Sequence, residues 1–377
     1  MDLILDFILV GGILIIAIIL LLLIKSKQKE LPQKILIVFF ALLFFVCLYF
    51  YASLHNIIWL IHLCFLPNDI TTCVIAPLLF LYIKSLFLKG EHLVKNTLVH
   101  FIPALLFAVC ITIPTILFNT FQVKALAYTH TDFISKLIRI ENLYFLLYIF
   151  ISLQSLSKYK RLTKFKYSNL SKYDFNWIKM MLVGAFCIML VDLGFKVYKT
   201  FYGHFNWNTD YFSVLTMIIL VSYLGYYGVN QSKVLIPDFL LKDNNDGYIT
   251  PKEKSNVLSD ANKEAFETLK NRLETILKTD KPYLDEDLTL GKLSEKLSTT
   301  DKKLSTMLNQ YMNISFYDLI NKHRIEAVIE KMPLDAYKNY NIFGIACECG
   351  FKSRTSFNRI FKRETGLSPS DYKATIF

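Results

Sequence analysis

A succession of long apolar runs restricts this chain more than any other feature. A helix needs roughly 20 apolar residues to cross the hydrocarbon of a bilayer, where no water can satisfy its backbone. Seven segments reach that length: about 3–24, 35–54, 70–88, 98–118, 138–156, 178–198 and 210–229. The first opens MDLILD, with no cationic start, too long an apolar run for a signal peptide and no small-residue cleavage site, so it is expected to remain as a span. The stretch HNIIWLIHLCFLP, His55 to Pro67, is too short to cross and is expected to extend the second helix or lie at the interface. After about Val229 the sequence becomes an ordinary charged mixture. Residues 1–230 are therefore expected to form a seven-span transmembrane sensor domain, and 263–377 a separate domain in water.

Charge orients the spans. The formal net charge is +11, and residues 257–377 hold 19 Lys and Arg against 17 Asp and Glu, leaving +9 in the apolar part. Loop one carries Lys25, Lys27, Lys29 and Lys34, loop three Lys89 and Lys95, and loop five Lys158, Lys160, Arg161, Lys164, Lys166 and Lys172. Loops two, four and six hold only Lys124, Lys136 and Lys199. Cationic loops stay in the cytoplasm, so the amino terminus is expected outside and the C-terminal domain inside, on a multi-pass protein of the inner (cytoplasmic) membrane. Residues 231–262, a cytoplasmic linker mixing Asn, Asp, Lys, Ser and Pro without a period, are expected to act as a tether. A flexible chain of that length spans roughly 30 Å, which keeps the last domain near the bilayer.

The C-terminal part carries a repeated pattern. Ile342, Ile345, Ala346 and Cys349 fall on one face of a helix, Gly350 follows as a left-handed stop, and Ser353 can cap the next helix. There Phe357, Ile360 and Phe361 point one way, while Arg354, Thr355, Asn358, Arg359 and Lys362 point the other. Gly366 closes that helix, and Ser368–Pro369 opens the last one. Upstream, Thr289 caps a helix with Leu290, Leu293 and Leu297 inward. After Ser298–Thr300, Leu304, Met307 and Leu308 face in and Lys302, Lys303, Ser305, Thr306 and Asn309 face out. The helix between the copies has Ile325, Val328, Ile329 and Met332 as its buried stripe. A short helix, a turn and a cationic second helix describe a helix-turn-helix, whose second helix fits a DNA major groove. Two such helices about 34 Å apart could enter successive major grooves from one face.

LTLGKLSEKLSTTDKKLSTMLNQ, FYDLINKHRIEA and IACECGFKSRTSFNRIFKRETGLSPSDY stand in the order and spacing of one family. The segment from about Pro282 to Lys373 closely resembles the DNA-binding domain of AraC/XylS-type transcriptional regulators. The whole layout resembles a bacterial subgroup with a seven-helix membrane domain in place of a soluble sensor. The resemblance implies an all-α protein: a seven-helix transmembrane bundle, then a domain of two helix-turn-helix units, about 289–311 and 341–364, joined by a long helix. Carried over by position, Lys302, Ser305 and Thr306 of the first unit and Arg354, Thr355, Asn358 and Arg359 of the second would face bases. Lys352, Ser353 and Lys362 would hold phosphates, and Lys303 lies on the same outward face. Ser298 stands where the family usually has a turn glycine, at a cost on the order of 1 kcal/mol, and Ser294 replaces a common core alanine. The domain is only weakly basic, although Lys352 to Lys373 holds six cations against two anions.

Ionisable groups within spans are costly. Asp192 and Lys196 lie one turn apart in the sixth segment, and Asp6, Arg139, Glu141 and Asn142 lie near the outer ends of theirs. A structural ion pair and interfacial placement are one reading. The other is an outward polar pocket, with Asp192, Lys196 and Glu141 sensing an unknown signal or small-molecule ligand. His55, His62, His130 and His204 are too scattered to suggest a metal site, and no cofactor is expected. Cys64 and Cys73 leave a disulfide open, whereas Cys347 and Cys349 read as packing. No metalloprotease motif, nucleophile elbow or phosphate loop occurs, so the chain is not expected to be an enzyme. The expected partners are double-stranded promoter DNA and the lipid bilayer, with RNA polymerase and a second copy of the chain (a homodimer) left open. The rival is a multi-pass transporter or receptor whose C-terminal domain is a protein-docking adaptor.

Overall fold

The computed structural model describes residues 2–25, 30–88, 93, 98–114, 127–170, 175–203, 209–228 and 260–376. Residues 231–259 of the expected linker, Lys27, Lys29, Lys89, Lys95, Lys124, Lys172 and His204 lie outside them, as do the side chains of His130, Lys136, Arg139 and Glu141; residues 260–262 of that linker begin a helix. The described residues are helical, with a single isolated bridge between Tyr167 and Thr289. The chain divides into two compact units. One contains Met1–Ser157 and Phe175–Leu235, the other Lys158–Asp174 and Ile236–Phe377.

The first unit contains α1 (Asp2–Lys25), α2 (Leu31–Leu54), α3 (Ile58–Phe87), a short α4 (Ile102–Phe107), most of α5 (Ala127–Thr163), α6 (Asn176–Tyr202) and α7 (Asp210–Gly228). A tight turn at Leu98–Phe101 precedes α4 and a wide turn at Ala108–Thr112 follows it. Among the described residues, four helices are long and apolar enough to cross a membrane: Leu3–Lys25, Leu31–Leu54, Asn176–Lys199 and Tyr211–Gly228. Counting the two arms of α3 as one span makes five. The His55–Pro67 stretch does not extend α2. Asn56, at φ 54°, ends that helix in a left-handed turn, and the apolar stretch becomes the first arm of α3. The arms Ile58–Asn68 and Cys73–Phe87 meet at 50° just past Pro67, which has no amide hydrogen for the helical ladder.

Packing within this unit follows small residues. A Cβ on Gly12 of α1 would lie 2.6 Å from Ile218 Cδ1 of α7, and one on Gly225 of α7 would lie 2.3 Å from Ile19 Cδ1 of α1. Each glycine receives an isoleucine of the other helix, the close approach on which helix pairs in lipid depend. Much of the outward surface is apolar, including Leu3, Phe7, Trp59, Leu105, Leu147, Phe150, Met180 and Ile219. That distribution suits hydrocarbon as solvent.

The second unit has one core. It comprises α8 (Asp260–Thr279), α9 (Leu290–Lys296), α10 (Asp301–Thr306), α11 (Phe316–Lys331), α12 (Ile342–Glu348), α13 (Arg354–Thr365) and α14 (Pro369–Ile376). Leu269, Leu273 and Leu277 bring one face of α8 onto that core, with Leu293, Leu304, Ile325, Val328, Ile345, Phe357 and Phe361 from the other helices. These are the inward positions that helical spacing selects.

Candidate nucleic-acid interface

Two helix-turn-helix units are assembled by the same backbone devices. In the first, Thr289 Oγ1 accepts from the Lys292 amide at 3.3 Å and so caps α9. The chain then leaves α9 through a pair of amide bonds, Ser298 to Glu295 O and Thr299 to Ser294 O, both 3.0 Å. Thr300 Oγ1 caps α10 by accepting from Lys303 N at 3.2 Å. In the second, Asn341 caps α12, accepting from Gly344 N at 2.7 Å. Gly350 donates to Cys347 O and Phe351 to Ala346 O, again at 3.0 Å, and Ser353 caps α13 by accepting from Ser356 N at 3.3 Å. Each pair of amide bonds is the closure that requires a left-handed residue after the helix. Ser298 adopts it at φ 50° and Gly350 at φ 89°.

Gly350 has a second reason to be glycine. A Cβ there would lie 2.7 Å from Tyr283 O and 2.8 Å from Arg324 Nε.

The second unit presents Arg354, Thr355, Asn358, Arg359 and Lys362 on the exposed face of α13, opposite buried Phe357, Ile360 and Phe361. The Arg354 guanidinium sits 5.2 Å from the Phe343 ring centroid, a contact that steadies a cation without neutralising it. Arg359 Nη2 donates to Tyr317 Oη at 3.0 Å. Ser353 keeps its hydroxyl hydrogen while accepting as a cap. Lys352 lies within 2.7 Å of Glu286 and 3.0 Å of Asp287, so a phosphate would have to compete with two carboxylates for it.

The first unit differs. Lys302 and Lys303 are exposed and Thr306 is half-buried, but Ser305 is buried, not outward as its position suggested. Its hydroxyl accepts from Asn309 Nδ2 at 3.1 Å. Ser305 lies within the regular part of α10, three residues before buried Leu308, so it flanks the inward stripe. Ser294, buried in place of an alanine, donates to Gly291 O at 2.8 Å and is also bonded to Asp301. Cys349 is buried as a packing residue, but Cys347 is exposed, so packing does not account for it. All seven cysteines are free thiols, Cys64 and Cys73 included.

Sequence reasoning passed over Arg324. Its side chain is 1 % exposed and satisfied by three backbone carbonyls and two side-chain oxygens, with Nε donating to Tyr283 O at 2.7 Å and Nη2 to Asp285 O at 2.8 Å. Burial pushes its guanidinium down to about 10, still protonated at neutral pH. The clue was a cation on the same helical stripe as Tyr317, Asn321 and Val328, all buried.

In the first unit of the chain, Asp192 is buried in a polar cluster. Lys196 Nζ lies 2.9 Å from Asp192 Oδ2, Asn142 Nδ2 donates to the same oxygen at 3.1 Å, and Ser213 Oγ donates to Oδ1 at 2.9 Å. Lys196 also donates to Asn142 Oδ1 at 3.2 Å. The cluster ties α5, α6 and α7 together. Separately, His55 Nε2 lies 2.8 Å from Asp6 Oδ1.

Comparison with known proteins places this geometry. A family described as a helix-turn-helix domain matches residues 293–375. An uncharacterized HTH-type transcriptional regulator of Staphylococcus aureus strain COL is 34 % identical over 91 residues, 24 % of this chain and 12 % of that one. Likewise described regulators of strains MSSA476 and N315 match to the same extent. The chain thus spans only about 12 % of the length of these relatives. No solved structure matches it. Its C-terminal segment is an AraC-type helix-turn-helix domain, similar to that of HTH-type transcriptional regulators.

Proposed function

We propose that this protein is a membrane-embedded, sequence-specific DNA-binding regulator that couples a signal at or beyond the bilayer to transcription. The observation that carries the reading is the outer face of α13, where Arg354, Thr355, Asn358, Arg359 and Lys362 stand exposed on a helix anchored by three buried apolar side chains. Arginine can grip guanine O6 and N7 with two donors, and asparagine can do the same for adenine. Lys352, Ser353 and the exposed Lys302 and Lys303 supply phosphate contacts. Promoter DNA is the partner, with RNA polymerase and a second copy of the chain as further partners of the same reading.

The topology of this proposal is seven spans, an outer amino terminus and a cytoplasmic C-terminal domain. One observation independent of loop charge bears on a part of it, the shared side of the fifth loop and the C-terminal domain. Lys164 and Lys166 are hydrogen-bonded to residues of the helix-turn-helix domain, so the loop before α6 shares a side with that domain. Two crossings, α6 and α7, separate them, and an even number is what a shared side requires. The polar cluster of Asp192, Lys196, Asn142 and Ser213 is the proposed sensing centre, with Glu141 beside it in sequence. A ligand competing for Asp192 would loosen three helices at once.

The test is binding by the full chain in lipid nanodiscs to duplexes selected from a random library. Selective binding that weakens steeply with salt is expected. Failure to enrich any sequence would favour the rival reading, a transporter or receptor with a docking adaptor. Asp192→Asn should insert normally and lose signal-dependent transcription. An unaltered response would remove the sensing centre.

A further inference from the structure

The most buried polar centre of the helix-turn-helix domain is completed by residues far away in sequence. Lys164–Leu170 follow directly on α5, yet they belong to the same compact unit as α8 to α14. Leu290, the first residue of α9, donates its amide to Lys166 O at 3.0 Å, and Tyr317, in the first turn of α11, donates to Lys164 O at 3.0 Å. Amides at helix starts have no partner inside their own helix, so this segment caps one helix-turn-helix unit and the helix that joins the two. Tyr167 bridges Thr289, and Leu170 packs on the core.

Ser168 completes the seat. Its hydroxyl donates to Leu288 O at 2.7 Å and accepts from Arg324 Nη2 at 3.2 Å, while its carbonyl accepts from Arg324 Nη1 at 3.3 Å and from Asn321 Nδ2 at 3.0 Å. Arg324 also donates to Tyr283 O, Asp285 O and Asn321 Oδ1, so Ser168 supplies two of its five acceptors. A buried guanidinium stripped of acceptors is strongly disfavoured, and so is a buried helix start left open. The effect extends to the reading face. Tyr317, whose amide is held by Lys164, accepts from Arg359 through its phenol at 3.0 Å. With the segment seated, Arg354, Thr355, Asn358 and Lys362 remain exposed, so it supports the reader without covering it.

We propose that residues 164–170 are a docking strap: seated against Arg324 they complete the DNA-competent reader, and a change in α5 lowers DNA affinity by drawing them out. This rests on the DNA-binding reading above. It makes the loop after α5, and not the linker alone, the route from the bundle to the reader.

The test uses the full chain in nanodiscs and the duplex that the unaltered protein selects from a random library. Hydrogen exchange should show the amides of Leu290 and Tyr317, which donate to the strap's carbonyls, protected. Ser168→Leu, which cannot fit beside Arg324, should free those amides and lower affinity at least tenfold while the core amides of α13 stay protected. Tyr167→Cys with Thr289→Cys should form a disulfide, because paired residues in an antiparallel bridge lie within its reach, and the oxidised protein should bind within threefold of the unaltered one. Free exchange at Leu290 and Tyr317 in the unaltered protein would overturn the strap. So would a Ser168→Leu strap that is released with unchanged affinity, or a locked protein that no longer binds. If Ser168→Leu also exposes the α13 core, the locked pair decides. If the unaltered protein selects no duplex, DNA binding fails, while exchange and cross-linking still report on the seat.

Discussion

The two helix-turn-helix units share a scaffold and differ in what they present. Thr289 and Asn341 cap the first helices, Ser298 and Gly350 make the same left-handed exit, and Thr300 and Ser353 cap the second helices. At the start of the outward helix, however, the first unit has Asp301, engaged with Ser294, where the second has Arg354 over Phe343. One unit turns its first side chain inward to hold the turn; the other turns a cation outward. Caps and turn geometry are thus enough to build the motif, while the identity of a few residues decides whether its face suits an anion. The turns differ too. Ser298 is exposed and tolerates its conformation, whereas Gly350 is buried against Tyr283 and Arg324 and has no room for a side chain.

The largest expected effect follows from that contrast. Gly350→Ala adds a left-handed strain and a backbone clash, and should cost roughly 2–4 kcal/mol, read by pulse proteolysis of the full chain in nanodiscs. A loss below about 0.5 kcal/mol would mean that Tyr283 and Arg324 can move aside. Next comes base reading: Arg354→Ala should relax preference at one position of the selected duplex by about 1–3 kcal/mol. An unchanged preference would remove it from the reading set. In the first unit, Lys302→Ala should weaken all duplexes alike and reduce the salt slope by about 1. A sequence-dependent loss there would show that both units read bases. Ser294→Ala should cost about 1 kcal/mol through its lost bonds to Gly291 and Asp301, a loss that proteolysis would again report. Smallest is Ser298→Gly, expected to gain about 0.5 kcal/mol, since relief of left-handed strain is offset by glycine's freedom in the unfolded chain.

Much of the helix-turn-helix domain was legible in the sequence because its signals are local. The inward leucines of α9, the Ser353 and Ser368 caps and the left-handed exits at Ser298, Gly350 and Gly366 each depend on residues within one or two turns. Ser305 is buried where an outward position is expected because it stands three residues before Leu308, at the edge of the inward stripe. Of the two readings of the stretch after His55, extension of α2 fails because Asn56 ends that helix in a left-handed turn. Arg324 went unnoticed because a buried cation is unreadable without its acceptors, which come from Ser168, Tyr283 and Asp285.

The apolar runs long enough for a bilayer, the duplicated turn-and-cap pattern and the cationic face of α13 were determined by sequence alone, since each is a matter of spacing along one helix. Only tertiary structure decided that the segment after α5 belongs to the same compact unit as the helix-turn-helix domain, that Lys352 meets two carboxylates, and that Asp192 is matched by Lys196, Asn142 and Ser213. The physical reason is the same in each case. A buried or half-buried polar group takes its partners from wherever the fold brings them, and chain separation carries no information about which donor meets which acceptor.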